Sequence, residues 1–211
     1  MSDARTQITP VEDGPLLVKG LKRLDTAGGP IDCDSSIALC RCGRSSSKPF
    51  CDGTHSSIDF SSEKLGGPNP DRRDDYAGKA ITIHDNRAIC AHAGFCTEGL
   101  PAVFRMKSEP WIDPDGATAS EIIETVRKCP SGALSYSIDG DEHRDDPDRP
   151  ESVFVAPGGP YAIKGGCELA GATWGAGASE EHYDLCRCGG SKNKPFCDGA
   201  HWTVWKDGED A

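Results

Sequence analysis

Residues 39–55 read LCRCGRSSSKPFCDGTH, and residues 185–201 read LCRCGGSKNKPFCDGAH. The two stretches are identical at 13 of 17 positions. Upstream, Gly14–Leu24 (GPLLVKGLKRL) matches Gly159–Leu169 (GPYAIKGGCEL), each at nearly the same distance from its cysteine motif. Self-similarity of this kind means that one small structural unit occurs twice, so the chain is a duplication with an insert between the copies. Both copies space their donors as C-x-C-x8-C-x3-H: Cys40, Cys42, Cys51 and His55, then Cys186, Cys188, Cys197 and His201. Three thiolates and an imidazole satisfy either a tetrahedral zinc ion or a pair of sulfide-bridged irons. The spacing leaves both open, although C-x-C is tighter than the common zinc knuckle and thiolate-rich sets suit iron–sulfur chemistry.

Composition explains why the chain needs such groups. Leu, Ile, Val and Phe together supply only 35 of 211 residues, and the formal charge is -11. That balance is typical of chains too poor in apolar surface to fold unaided. The 11 cysteines are the one feature in excess, and thin modules are commonly stapled by disulfides or metal. Disulfides fit poorly. The count is odd, two pairs are separated by one residue, and residues 1–14 show no basic stretch followed by an apolar run that would mark secretion. Bound metal in a reducing cytoplasm is the expectation. No apolar run reaches the ~18 residues of a membrane helix.

The polar stretches Ser61–Asp75 and Asp139–Glu151 read as solvated linkers. The expected units are therefore 1–57, a linker 58–78, a module 79–138, an acidic linker 139–155, and 156–211. Within the module, Lys79–His84 and Ala133–Ile138 alternate as strands, and Ser120–Lys128 carries Ile122, Ile123 and Val126 on one helical face, with Thr118 or Ser120 as cap. In the copies, Leu16–Val18, Ser36–Leu39 and Thr203–Trp205 carry strand signals, so each is expected to be a small antiparallel β unit ending in a ligand loop. His84, His143 and His182 read as surface residues, and Cys33 and Cys167 as thiols outside any ligand set.

The motifs CDGTH and CDGAH, with Ser45 and Ser191 and the pairs Pro49-Phe50 and Pro195-Phe196, resemble the CDGSH iron–sulfur (NEET) family at every motif position in both copies. The resemblance implies a 2Fe-2S cluster per copy. Cys40 and Cys42 would hold an inner iron, Cys51 and His55 an outer one, and Cys186, Cys188, Cys197 and His201 would repeat the arrangement. One-motif members are homodimers, so two motifs in one chain suggest an intramolecular pseudo-dimer. A histidine ligand removes one negative charge relative to all-cysteine ligation, raising the potential, and makes both potential and retention depend on pH. Asp52 and Asp198 can accept backbone N–H bonds in the turn that returns the histidine, where Gly53 and Gly199 permit positive φ.

Three further cysteines, Cys90, Cys96 and Cys129, lie in the insert. A bacterial ferredoxin run is C-x2-C-x2-C with a remote Cys-Pro. Here Ala93 occupies the middle position and Cys129-Pro130 is the remote pair, so the insert resembles the divergent single-cluster ferredoxins with one ligand missing. Three thiolates fit a 3Fe-4S cluster, the favoured reading, and His92 as fourth ligand would complete a 4Fe-4S cluster. The overall expectation is an α+β chain: two antiparallel β CDGSH units as a pseudo-dimer, with an inserted ferredoxin-like module. Residues 57–155 carry the excess of acid, -8, which disfavours nucleic acid and would steer a basic redox partner. No nucleophile–base constellation, phosphate loop or small-molecule site is evident. The expected role is a soluble, monomeric multi-cluster electron carrier. Donation of clusters to an apo iron–sulfur acceptor, or redox and pH sensing, are the alternatives.

Overall fold

The computed structural model describes residues 5–66 and 71–205. The first copy contributes β1 (Gln7–Pro10), β2 (Leu16–Lys19), β3 (Arg23–Thr26), β4 (Ile31–Asp32) and β5 (Ser36–Leu39). The middle of the chain forms β6 (Arg73–Ala77), β7 (Thr82–Asn86), α1 (Phe95–Gly99), α2 (Ala119–Val126), β8 (Leu134–Ile138) and β9 (Asp141–His143). The second copy forms β10 (Ser152–Val155), β11 (Tyr161–Lys164), β12 (Glu168–Leu169), β13 (Tyr183–Leu185) and the short α3 (His201–Val204). The class is α+β, with small sheets and few helices. Among the described residues no helix is long and apolar enough to cross a membrane.

The two copies do not make separate sheets. One sheet runs β12-β1-β2-β5 and another β13-β11-β10-β3-β4, so each contains strands of both copies. The exchange is reciprocal. β1 lies parallel to β12, with Ile8 opposite Leu169, and β10 lies parallel to β3, with Val153 opposite Leu24. The remaining pairs are antiparallel, as in β2–β5, where Leu16 faces Leu39 and Val18 faces Ile37. Period-2 alternation buries Leu16 and Val18 while Lys19 stays exposed. Leu24 and Leu39 of the first copy share one core with Val153, Tyr161, Ile163 and Leu185 of the second. The antiparallel units expected from sequence are thus corrected to mixed sheets. Neither copy holds enough apolar residues for a core, and strand exchange pools both.

The third sheet, β6-β7-β8-β9, packs with α2 around Ile83, Phe104, Ile112 and Ile122. Thr118 caps α2 in a capping box: its Oγ1 accepts from the Glu121 N–H, and the Glu121 carboxylate accepts from the Thr118 N–H at 2.9 Å. Ile122 and Val126 face inward from this helix.

Several expectations are overturned. β6 and β9 extend this sheet, and β10 joins the second, from stretches read as solvated linkers. β6 and β9 are edge strands whose pattern is written in charges, with Arg73 bridging both Glu142 oxygens at 3.1 and 3.0 Å, so no apolar alternation betrays them. In place of the expected Thr203–Trp205 strand, Thr203 and Val204 close the helical turn α3 and Trp205 is its extended C-cap. Val204 and Trp205 pack beside Cys186 and Cys188, and that contact overrides β-branched and aromatic propensity. His84 and His182 are buried rather than superficial. His84 bonds Asp75 and Ser137, each at 2.6 Å, and His182 bonds Glu181 at 2.7 Å. His143 is exposed as expected.

Candidate metal centres

Each CDGSH loop closes the end of a strand on itself. After β5, the Cys40 N–H donates to Pro49 O at 2.8 Å and the Cys51 N–H to Ala38 O at 2.8 Å. After β13, Cys186 N–H reaches Pro195 O at 2.8 Å and Cys197 N–H reaches Asp184 O at 2.9 Å. The serine of each motif braces the loop from within. Ser45 Oγ donates to Phe50 O at 2.6 Å and accepts from the Ser47 N–H at 3.0 Å, and Ser191 Oγ makes the matching bonds with Phe196 and Asn193 at 2.7 and 3.1 Å.

The Asp-Gly pair works as its chemistry suggests. Asp52 accepts from the Ser46 and Thr54 N–H groups at 2.7 and 3.0 Å, and Asp198 from Lys192 and Ala200 at 2.9 and 3.0 Å. A hydrogen bond from the Thr54 side chain, joined by these backbone bonds, holds Asp52 well below the usual carboxylate range. Gly53 and Gly199 turn with φ of 89° and 84°, and the histidine swings back so that its Nδ1 faces the third cysteine, at 3.3 Å in both copies.

The donors fall into pairs. Cys40 Sγ lies 3.7 Å from Cys42 Sγ, and Cys186 Sγ 3.9 Å from Cys188 Sγ. Two ligands on one tetrahedral ion with ~2.3 Å bonds stand about 3.8 Å apart, so each pair has the spacing of a single metal. No three donors of either set lie within 4.8 Å of one another; among the described residues only Asp145, Glu181 and His182 do. That trio is tied into a salt-bridge network, with Ser179 donating to Asp145 at 2.7 Å and Arg149 3.4 Å from Glu181.

Cys42 in the first set and Cys188 and Cys197 in the second resist ionisation without a compensating cation. Burial raises Cys42 and Cys197. In the second C-x-C pair, a hydrogen bond from Cys188 lowers Cys186 to about 7 while Cys188 itself is driven up. A metal would supply the missing positive charge, so the donor chemistry fits metal ligation in both sets. Burial also holds His201 below the ordinary histidine range, keeping it the neutral base that ligation requires.

The two sets meet back to back. Gly43 and Gly189, each at positive φ, lie against the opposite loop: a Cβ on Gly43 would come within 2.6 Å of Cys188 O, and one on Gly189 within 2.6 Å of Cys42 O. Sequence reasoning passed over three residues here. Arg41 and Arg187, the x of each C-x-C, reach back to the turn before β2 and β11. Arg41 Nε donates to Gly14 O at 2.9 Å and Nη2 to Val11 O; Arg187 bonds Gly159 O at 3.1 Å and Ala156 O at 2.8 Å. Their recurrence in both repeats is the signal that could have found them. Tyr161, which aligns with Leu16, donates from the second copy to Cys40 O at 2.8 Å.

In the insert, Cys90, Cys96 and Cys129 come together from three places: the end of a 3-10 turn capped by Asn86, the first turns of α1, and the segment after α2. With His92 they line one cavity of about 380 Å³, walled by Phe95, Met106, Trp111 and Trp202. Burial pushes Cys90 up to about 12 and raises Cys96 and Cys129. The cradle and the donor set fit a metal cluster. Cys33 is half-buried. Cys167 lies in the shared core and donates to Lys164 O at 3.4 Å; neither joins a set.

This geometry defines a chain with two repeated ligand loops, each of three cysteines and a histidine, and an inserted third set of cysteines. The family described as iron-binding zinc finger CDGSH type matches residues 13–56 and 158–202, and the family described as divergent 4Fe-4S mono-cluster matches residues 76–139. Relatives include the protein described as "Uncharacterized protein YjdI" in Escherichia coli K12 and in E. coli O157:H7, each 41% identical over 61 residues, which is 29% of this chain and 80% of the relative. No solved structure matches. The chain belongs to the CDGSH iron–sulfur family, with two CDGSH motifs and an inserted divergent single-cluster ferredoxin-like module.

Proposed function

We propose that the chain is a multi-cluster electron carrier, holding a 2Fe-2S cluster in each CDGSH loop and one further cluster in the insert. The reciprocal parallel pairing of β1 with β12 and β3 with β10 supports an intramolecular pseudo-dimer. The pairing of donors supports two irons per loop: a single zinc ion needs all four ligands mutually close, whereas Cys40/Cys42 and Cys51/His55 form two separate pairs. Three cysteines alone suit a 3Fe-4S cluster. The same three with His92 suit the 4Fe-4S type by which the matched insert family is described.

The observation that carries the electron-carrier role is the contiguity of the three ligand sets. Gly43 lies against Cys188 and Gly189 against Cys42, and His92, two residues after Cys90, lies against Gly199 in the Cys197–His201 turn. Bound clusters supply one-electron chemistry. The chain's own residues hold the ligands and bring the three sets together through Gly43, Gly189 and Gly199.

The test is repeated oxidation and reduction of the full chain beside an apo iron–sulfur acceptor. A carrier retains its iron throughout. The double substitution His55→Cys with His201→Cys should then still cycle, at a lower potential set by the added negative charge and without acid lability. Wholesale movement of iron to the acceptor, blocked by the same double substitution, would make the chain a cluster donor instead. Unchanged acid stability in the substituted protein would mean that His55 and His201 are not ligands.

A further inference from the structure

We infer that the two CDGSH ligand sets divide the work: the first is the open port at which the chain meets its redox partner, and the second is an interior set closed off by the inserted module through His92. The inference rests on the reading that both loops hold clusters.

The loops are nearly identical in sequence and unlike in surroundings. Cys51 and His55 are half-buried, and Asp52 and Gly53 exposed. Their counterparts Cys197, Asp198 and His201 are 2, 8 and 4% exposed. A Cβ built on Gly53 meets nothing within 4 Å, whereas one on Gly199 would stand 3.0 Å from Cβ and 3.1 Å from Cδ2 of His92.

The cover comes from the insert and is specific. Trp202 Nε1, one residue beyond the histidine of the second motif, donates to His92 O at 3.1 Å, and Asn193 Nδ2 donates to Ala88 O at 2.5 Å. In the first copy Ser47 takes the place of Asn193 and is exposed. His92 adopts φ of +54°, a conformation disfavoured for residues with a side chain, which carries the backbone out of the Cys90 segment and over the second loop. His92 is thus a positioning residue for the second set. Among the described residues, the outer pair of the first set is the more open of the two to solvent and macromolecules.

The test uses the full chain with its clusters, challenged with an iron chelator at constant pH. Pulses of an alkylating reagent are mapped by mass spectrometry to individual cysteines. In the wild type Cys51 should be labelled at least about tenfold faster than Cys197, equivalent to about 1.4 kcal/mol of local opening. His92→Gly, which suits a positive φ, should bring Cys197 to within about threefold of Cys51. His92→Phe keeps a ring on Gly199 and should restore protection, a rescue that no metal-ligand role allows. Trp202→Phe removes only the indole N–H bond and should accelerate Cys197 less than His92→Gly does.

Equal labelling of Cys51 and Cys197 in the wild type would overturn the inference. So would acceleration of the insert cysteines, with Cys197 still slow, in both His92 variants, since His92 would then be a ligand of the central cluster. A purified chain without iron or sulfide, its thiols all labelled at once, would instead refute the cluster reading beneath it.

Discussion

Gly43→Ala tests the contact on which the two loops depend, with Gly53→Ala as its control. Both glycines sit at positive φ, 75° and 89°, so both alanines incur the left-handed penalty of about 1–2 kcal/mol. They differ in what the new methyl meets. At Gly53 there is open space, whereas at Gly43 the methyl lies 2.6 Å from Cys188 O and 2.8 Å from Cys188 C. Those are backbone atoms next to two ligands and cannot rotate away, so overpacking adds about 1–3 kcal/mol. In a chain of this size about 1 kcal/mol moves the thermal midpoint by roughly 2–4 °C. Gly53→Ala should therefore lower the midpoint by about 2–8 °C, and Gly43→Ala by about 2–12 °C more. The assay is loss of visible absorbance on heating at one fixed scan rate, because loss of clusters makes the transition irreversible. Gly189→Ala should repeat the Gly43 result, since its methyl would meet Cys42 O at 2.6 Å. Gly43→Ala no less stable than Gly53→Ala would refute the back-to-back arrangement.

Two further outcomes follow from the strand pairing. A fragment of residues 1–57 lacks β10 and β12, leaving the edges of β3 and β1 unpaired, so it should be unfolded or self-dimerise; a stable, monomeric, cluster-bearing fragment in sedimentation would contradict strand exchange. For Arg73→Met the effect is pH-dependent. Burial raises Asp75 and Glu142, but hydrogen bonds and charge from His84, Arg73 and Ser135 outweigh it, and both end below their ordinary values. A depressed carboxylate stabilises the fold above its unfolded pKa and loses that contribution as pH falls through the native one. Arg73→Met should cost about 1 kcal/mol, or about 2–4 °C, at pH 6. The gap to wild type should close as the pH drops below about 4, and a gap that widened in acid would show the pair to be unimportant.

The ligand sets were legible because chemistry identifies them one residue at a time: Cys40, Cys42, Cys51 and His55 recur at identical spacing in the second copy, and Asp52 and Gly53 have one plausible task in such a turn. α2 was legible from Ile122, Ile123 and Val126 at helical spacing and from its cap. What escaped depends on distant partners. β12 is only Glu168–Leu169, too short for a periodic signal, and its pairing with β1 joins residues 161 positions apart in the chain. β6 and β9 are held by Arg73, Asp75, His84 and Glu142 rather than by apolar alternation, so they read as linkers. The segment around Thr203 has a strand's composition, but Val204 would clash with any side chain at Gly190, and the packing of that corner decides in favour of a helical turn. His92 read only as a possible fourth ligand of the central cluster, and its contact with Gly199, with the bonds from Trp202 and Asn193 to the insert, distinguishes the second loop from the first.

The most direct measurement is iron, zinc and acid-labile sulfide per chain, with EPR, on protein purified without oxygen. Two diiron clusters and the central cluster require about seven or eight irons, about eight acid-labile sulfides and no stoichiometric zinc. An EPR signal from the untreated, oxidised protein assigns the central site as 3Fe-4S with three cysteine ligands, and a silent spectrum with about eight irons assigns it as 4Fe-4S with a fourth ligand. About three zinc ions per chain and no acid-labile sulfide would contradict the account at its root.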